Sequence, residues 1–181
     1  MPNSAPTRSD SELVKDSILG DHNAFSTLFD RHYEKVRGFA YRILLDYQAA
    51  DDAAQESFIR AARQIQKLRD GQSFEAWIFH VCSNVARDAL RSNAAHIRKL
   101  AAAANEFDDA SQPSSEKDEL SLEAHRMLES LPLPQREAVV LVYLEDCSHA
   151  EAASKLGCAE STISWRIFLA KKPLRKFLKK P

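Results

Sequence analysis

Nowhere in the 181 residues is there a convincing two-residue alternation of apolar and polar side chains, whereas helical spacing of apolar residues recurs throughout. That feature confines the chain to the all-α class. With only 4 Gly and 7 Pro, long stretches run without a helix breaker, and many are rich in Ala, Leu, Glu, Lys and Arg, the good helix formers. A hydrophobic content of 44% is enough for packed cores, and the length allows one domain or two small ones.

Charge distribution favours two. The net charge of −1 conceals seven acidic residues against one Lys from Ala101 to Glu123, and seven basic residues against one Glu from Glu160 to Pro181. From Ala95 to Lys117 large apolar residues are few and negative charge is high, the composition of a flexible acidic linker without a core of its own. Its alanines can extend the preceding helix. The expected organisation is therefore two small helical domains, 9–94 and 118–181, joined by a linker at 95–117. The basic end suits nucleic acid even though the whole chain is nearly neutral.

Other classes find little support. Cys82, Cys147 and Cys158 are odd in number and lack a CxxC spacing, which argues for reduced thiols rather than a disulfide framework or zinc site. His80, close to Cys82, reads as an ordinary helix residue. There is no glycine-rich phosphate loop, metal-ligand cluster or nucleophile motif, so neither an enzyme nor a cofactor is expected. The N-terminus lacks an apolar core of signal-peptide length and no segment reads as a membrane span, so a cytoplasmic protein without membrane insertion is expected.

In the first domain, Ser9 and Glu12 form a capping-box pattern that opens a helix with Leu13, Val14 and Ile18 inward. Gly20 stops it and Asp21 caps a second helix, with Phe25, Leu28, Phe29, Val36, Ala40, Ile43 and Leu44 on its buried side. In the third, Ala54, Phe58, Ile59, Ala62 and Ile65 form an apolar stripe. Asp51, Asp52, Gln55 and Glu56 fall off it as a compact acidic patch, which a solvated helix start would also produce. A turn at Asp70-Gly71 leads to Ser73, which can cap a fourth helix packed through Phe74, Trp77, Ile78, Val81, Val85 and Ala89. Asn84, Arg87, Asp88 and Arg91 lie toward its other face, where amides and guanidinium groups can reach base edges and phosphates or simply form a salt-bridged exterior.

In the second domain, Leu120, Ala124, Met127, Leu128 and Leu131 give a helix closed by Pro132. Pro134 sits in the first turn of the next, whose Val139 to Leu144 run is apolar nearly all round and so expected to be buried. Ser148 and Glu151 form a second capping box, and Gly157 allows a sharp turn before a helix opened by Glu160. Ala153 four residues before Gly157 and Ile163 six after it is helix-turn-helix spacing, which many helical pairs also contain. The second helix of that motif places its N-terminal residues at base edges in the major groove. Ser161, Thr162, Ser164, Trp165 and Arg166 are thus candidate readers, with Lys171 and Lys172 on phosphates.

The Asp51–Ile59 stretch resembles the core-polymerase-binding helix of bacterial extracytoplasmic-function (ECF) RNA polymerase sigma factors. Phe74-x-x-Trp77-Ile78 followed by Asn84-x-x-x-Asp88-x-x-Arg91 is similar to the helix by which that family reads the −10 promoter element. The segment from Leu131-Pro132 to the final helix-turn-helix is similar to its −35-reading domain. The resemblance implies an alternative sigma factor that binds core RNA polymerase through Asp51, Asp52, Gln55 and Glu56. It assigns −10 DNA to Asn84, Arg87, Asp88 and Arg91, and −35 DNA to the C-terminal readers. It also implies an anti-sigma partner and leaves bond formation to the polymerase. The pattern departs at Trp165, where a small residue is common, at Phe168 and Leu169, in place of a His-Arg pair, and at Pro173, expected to end or kink the helix. These departures keep a sigma-mimicking titrator of an anti-sigma factor in view. A polymerase-independent helix-turn-helix regulator is a further alternative, but it leaves the acidic patch without a role.

Overall fold

The computed structural model describes residues 8–68, 71–103 and 122–178. Among these there are α-helices but no strands, and none of the helices is long and apolar enough to cross a membrane. The first body comprises α1 (Asp10–Ile18), α2 (His22–Leu44), α3 (Tyr47–Gln64) and α4 (Phe74–Ala103), with a 3-10 turn at Ile65–Lys67 after α3. The second comprises α5 (Leu122–Glu129), α6 (Leu133–Val139), α7 (His149–Leu156) and α8 (Glu160–Leu178).

The boundaries follow local chemistry. Ser9 accepts from the Glu12 amide while the Glu12 carboxylate accepts from the Ser9 amide at 2.7 Å, completing the capping box of α1. Asp21 caps α2 and Asp46 caps α3, the latter through the Ala49 amide at 2.7 Å. Ser73 accepts from the Ala76 amide at the start of α4. In the second body the Ser148–Glu151 box opens α7, and Gly157 closes it in the left-handed region at φ 62°.

Several faces are rotated from their expected positions. In α3 the buried stripe is Ala50, Ala53, Ala54, Ser57, Phe58 and Ala61, continued by Ile65 of the 3-10 turn. Ile59 and Ala62 point outward, because Phe58 turns in against Phe29 and draws the smaller Ala61 toward the core. Ile18, in the last turn of α1, is likewise exposed, leaving Leu13 and Val14 as that helix's buried residues. Beyond Val139 the helix widens into a π-turn at Val140–Leu144, in which the Glu145 amide donates to the Val140 carbonyl. The wider turn keeps Val140 and Leu141 inside and swings Tyr143 and Leu144 out, so this run is not buried all round. Pro173 does not end α8, which runs on to Leu178. The proline withholds one amide, but Leu174 beyond it packs onto the core and holds the helix there.

The first body packs α2 against α3 and α4, and α7 of the second body also packs against α4. Helix α4 is therefore packed by both bodies: Phe79 meets Phe39 of α2 and Lys155 of α7, Cys82 lies against α2 and Ser83 against Glu137 of α6. These residues and Ala86 are buried along with the expected Phe74, Ile78 and Val85. Helix α4 also continues through the alanines to Ala103. The remainder of the expected linker, 104–117, lies outside the described residues, as does Asp70 of the expected turn.

Candidate nucleic-acid interface

The acidic patch of α3 is present, and its members are oriented by neighbours on the same body. The Tyr33 hydroxyl donates to Asp51 at 2.8 Å and the Gln55 amide to its second oxygen at 2.7 Å. Burial and the Asp51 carboxylate both raise the Tyr33 pKa, so the phenol keeps the proton it donates. Asp52 is exposed and, among the described residues, meets only a long contact from Gln48 at 3.3 Å. The outward Ile59 falls one turn beyond Gln55 and Glu56 on the same face, an apolar residue in an acidic surround. The expected stripe had hidden this residue; its four-residue spacing from Gln55 was the available signal.

Arg60 ties this patch to α4. Its guanidinium donates to Glu56 at 2.7 Å and reaches Asp88 at 3.5 Å, and both carboxylates raise its pKa. On α4, Asn84 faces solvent between His80 Nε2 at 3.2 Å and Arg87 Nη1 at 3.4 Å. Arg91 extends freely, 81% exposed, with Asp88 only at 3.9 Å. These four residues share one region of α4, but Arg87 does not face open solvent. It donates to Glu137 of α6, which is wholly buried and also accepts from Ser83 at 2.6 Å.

That pair belongs to a larger seam between the two bodies. Lys155 donates to Glu75 at 2.8 Å and lies 4.2 Å from the centre of the Phe79 ring. Burial raises the Glu75 pKa, yet the Lys155 bond and charge outweigh it and hold the carboxyl below its ordinary value. Arg42 pairs with Glu145, and Arg136 donates to the Ile43 carbonyl at 2.7 Å. His80 packs against Gly157 so closely that a Cβ there would sit 2.6 Å from His80 Cε1. Gly157 thus serves both the turn and this approach.

In the helix-turn-helix, Ala153 and Ile163 are buried at the crossing of α7 and α8. Ile163, Ile167, Ala170 and Leu174 form the inner stripe of α8. Opposite it run Ser161, Ser164, Trp165, Phe168, Lys172 and Arg175, all exposed at helical spacing. Ser164 also meets His149 Nδ1 at 2.9 Å. Thr162 lies at the margin, Lys171 is exposed beside the face, and Arg166 flanks it with Nη1 buried. Phe168 stands nearer the centre of this face than Arg166 does. Cys82, deep in α4, has its thiol pKa pushed up to about 12 by burial, which leaves it protonated and unreactive.

A helical body with an acidic helix face, bridged to a basic and amide-bearing helix and followed by a helix-turn-helix, defines a two-part DNA-binding transcription factor. Residues 28–96 match the Sigma-70 region 2 family and residues 121–174 match Sigma-70, region 4. The chain is 32% identical to the ECF RNA polymerase sigma factor SigM of Mycobacterium tuberculosis, over 94% of this chain and 85% of that protein. It is 29% identical to the RNA polymerase sigma-H factor of Pseudomonas aeruginosa, over 93% of each. Among solved structures, CnrH in complex with the cytosolic domain of CnrY superposes with a TM-score of 0.69 at 25% identity, covering 93% of this chain and 96% of that one. The sigma factor RpoE of Bartonella quintana, in complex with the anti-sigma factor NepR, shares the fold with a TM-score of 0.69 at 23% identity, over 86% of this chain and 96% of that one. The chain belongs to the ECF sigma factors, a family of transcription factors without catalytic chemistry of their own.

Proposed function

We propose that this sigma factor binds core RNA polymerase through the outward face of α3, with Asp51, Asp52, Gln55 and Glu56 supplying charge and Ile59 an apolar contact among them. Asn84, Arg87, Asp88 and Arg91 of α4 then hold the −10 element, while α8 docks the −35 duplex. The observation that carries this reading is the Glu56–Arg60–Asp88 bridge. It fixes the polymerase face and the −10 face on one rigid body, as simultaneous engagement of both partners requires.

With Arg87 held by Glu137, promoter capture requires α6 and α7 to leave α4. The closed form is then a resting state, and an anti-sigma partner of the kind bound to RpoE in the solved complex acts by covering the same faces. The protein works in the cytoplasm, where polymerase is. The test is affinity for purified core polymerase. Asp52→Lys, which breaks no ion pair among the described residues, lowers it by roughly ten-fold or more, and unchanged affinity refutes the α3 assignment.

A further inference from the structure

The outward face of α8 carries an unusual centre. Trp165 and Phe168 are 59% and 61% exposed, and their rings stack at 5.5 Å between centroids with 21° between planes. More than half of each residue is open to solvent. They stand between the hydroxyls of Ser161 and Ser164 on one side and the cations of Lys172 and Arg175 on the other. A stacked aromatic pair left in water is costly unless a ligand covers it.

The flanking charges indicate that ligand. Lys171, Lys172 and Arg175 follow the aromatics within two turns, the arrangement that grips phosphates while the helix lies in a major groove about 12 Å wide. The centre of the face has neither an Arg nor an Asn or Gln to take guanine or adenine by paired hydrogen bonds. What it offers is apolar surface, and the apolar group presented among the base edges of the major groove is the thymine 5-methyl. We propose that Trp165 and Phe168 are specificity-determining residues that read thymine methyls in the −35 duplex, with Ser161 and Ser164 contacting adjoining base edges. This rests on the reading of α8 as the −35-binding helix.

The test uses the full chain with core polymerase on a promoter located by transcript mapping. Three duplexes are compared, with thymine, uracil or 5-bromouracil throughout the −35 element. Uracil keeps base pairing and deletes the methyl, and bromine restores its bulk. Binding to the uracil duplex should fall about four-fold for each methyl contacted, the factor that burying one such group is worth. Bromouracil should recover it. The Trp165→Ala, Phe168→Ala double variant should bind core normally and no longer distinguish thymine from uracil.

Equal binding of wild type to all three duplexes overturns the proposal, and so does a double variant that still discriminates. If scrambling the whole −35 element changes nothing, the reading of α8 as a duplex-binding helix fails instead. Loss of core binding in the double variant would assign the aromatic face to a protein contact, and that also overturns the proposal.

Discussion

Glu137 of α6 accepts a hydrogen bond from Arg87 of α4 at 2.7 Å, so a side chain proposed to face the promoter is held by the body proposed to read the other promoter element. The Glu137 carboxylate has no access to solvent and Arg87 is only 25% exposed. Removing one partner of such a pair leaves the other desolvated and unpaired, at about 3 kcal/mol. Glu137→Ala should therefore loosen the closed arrangement, leaving Arg87 and Ser83 without their acceptor. Small-angle scattering should give a larger radius of gyration for the variant than for wild type. Equal radii would mean that the seam does not depend on this carboxylate.

The Lys155–Glu75 pair gives a pH-dependent contribution of definite sign. Glu75 titrates below its ordinary 4.5 in the folded protein, so between the two values the folded state binds fewer protons than the unfolded one. Its contribution is present above pH 4.5 and is lost as pH falls through the lowered value. Glu145 works in the opposite sense, since burial raises its pKa despite Arg42. Comparison with Glu75→Gln isolates the first effect. In denaturant titrations wild type should be the more stable at pH 7, and the gap should close as the pH drops below 4.5.

Ile163 holds the angle of the helix-turn-helix and is completely buried. Ile163→Ala should cost about 3 kcal/mol by leaving a cavity between α7 and α8. The loss should appear as a lowered thermal midpoint in circular dichroism. A shift no larger than that of an exposed control such as Ser161→Ala would show that Ile163 is not the wedge.

Gly157→Ala should be damaging for two separable reasons. Alanine at φ 62° costs roughly 1 kcal/mol in backbone strain, and its Cβ meets the His80 ring across the seam. In a His80→Ala background only the strain remains, so the penalty should shrink. Equal thermal-midpoint shifts in the two backgrounds would show that the contact with His80 contributes nothing.

Much of the fold could be read from local chemistry. The boxes at Ser9 and Ser148, the Asp21 cap and the turn at Gly157 depend on residues within a few positions of one another, and each forms as its pattern indicates. The rotation of α3 could not be read in this way. Phe58 and Ile59 are adjacent and similarly apolar, and the choice of which turns inward is made by Phe29 and Tyr33 on another helix. The engagement of Arg87 was hidden for the same reason, because Glu137 is fifty residues away and sits in the other domain. The central position of Phe168 on the outward face was not evident from its residue type, because only its spacing from Ser161 and Trp165, seen against the buried Ile163 and Ile167, places it there.

The most direct measurement is run-off transcription with purified protein, core polymerase and fragmented DNA from the source genome, with start sites mapped. A sigma factor of this design yields discrete starts that share two upstream elements and disappear when the protein is omitted. An Arg91→Ala variant, altered at an exposed residue away from the α3 face, should still bind core and lose those starts. Tight binding to core without any dependent start would contradict a role in initiation.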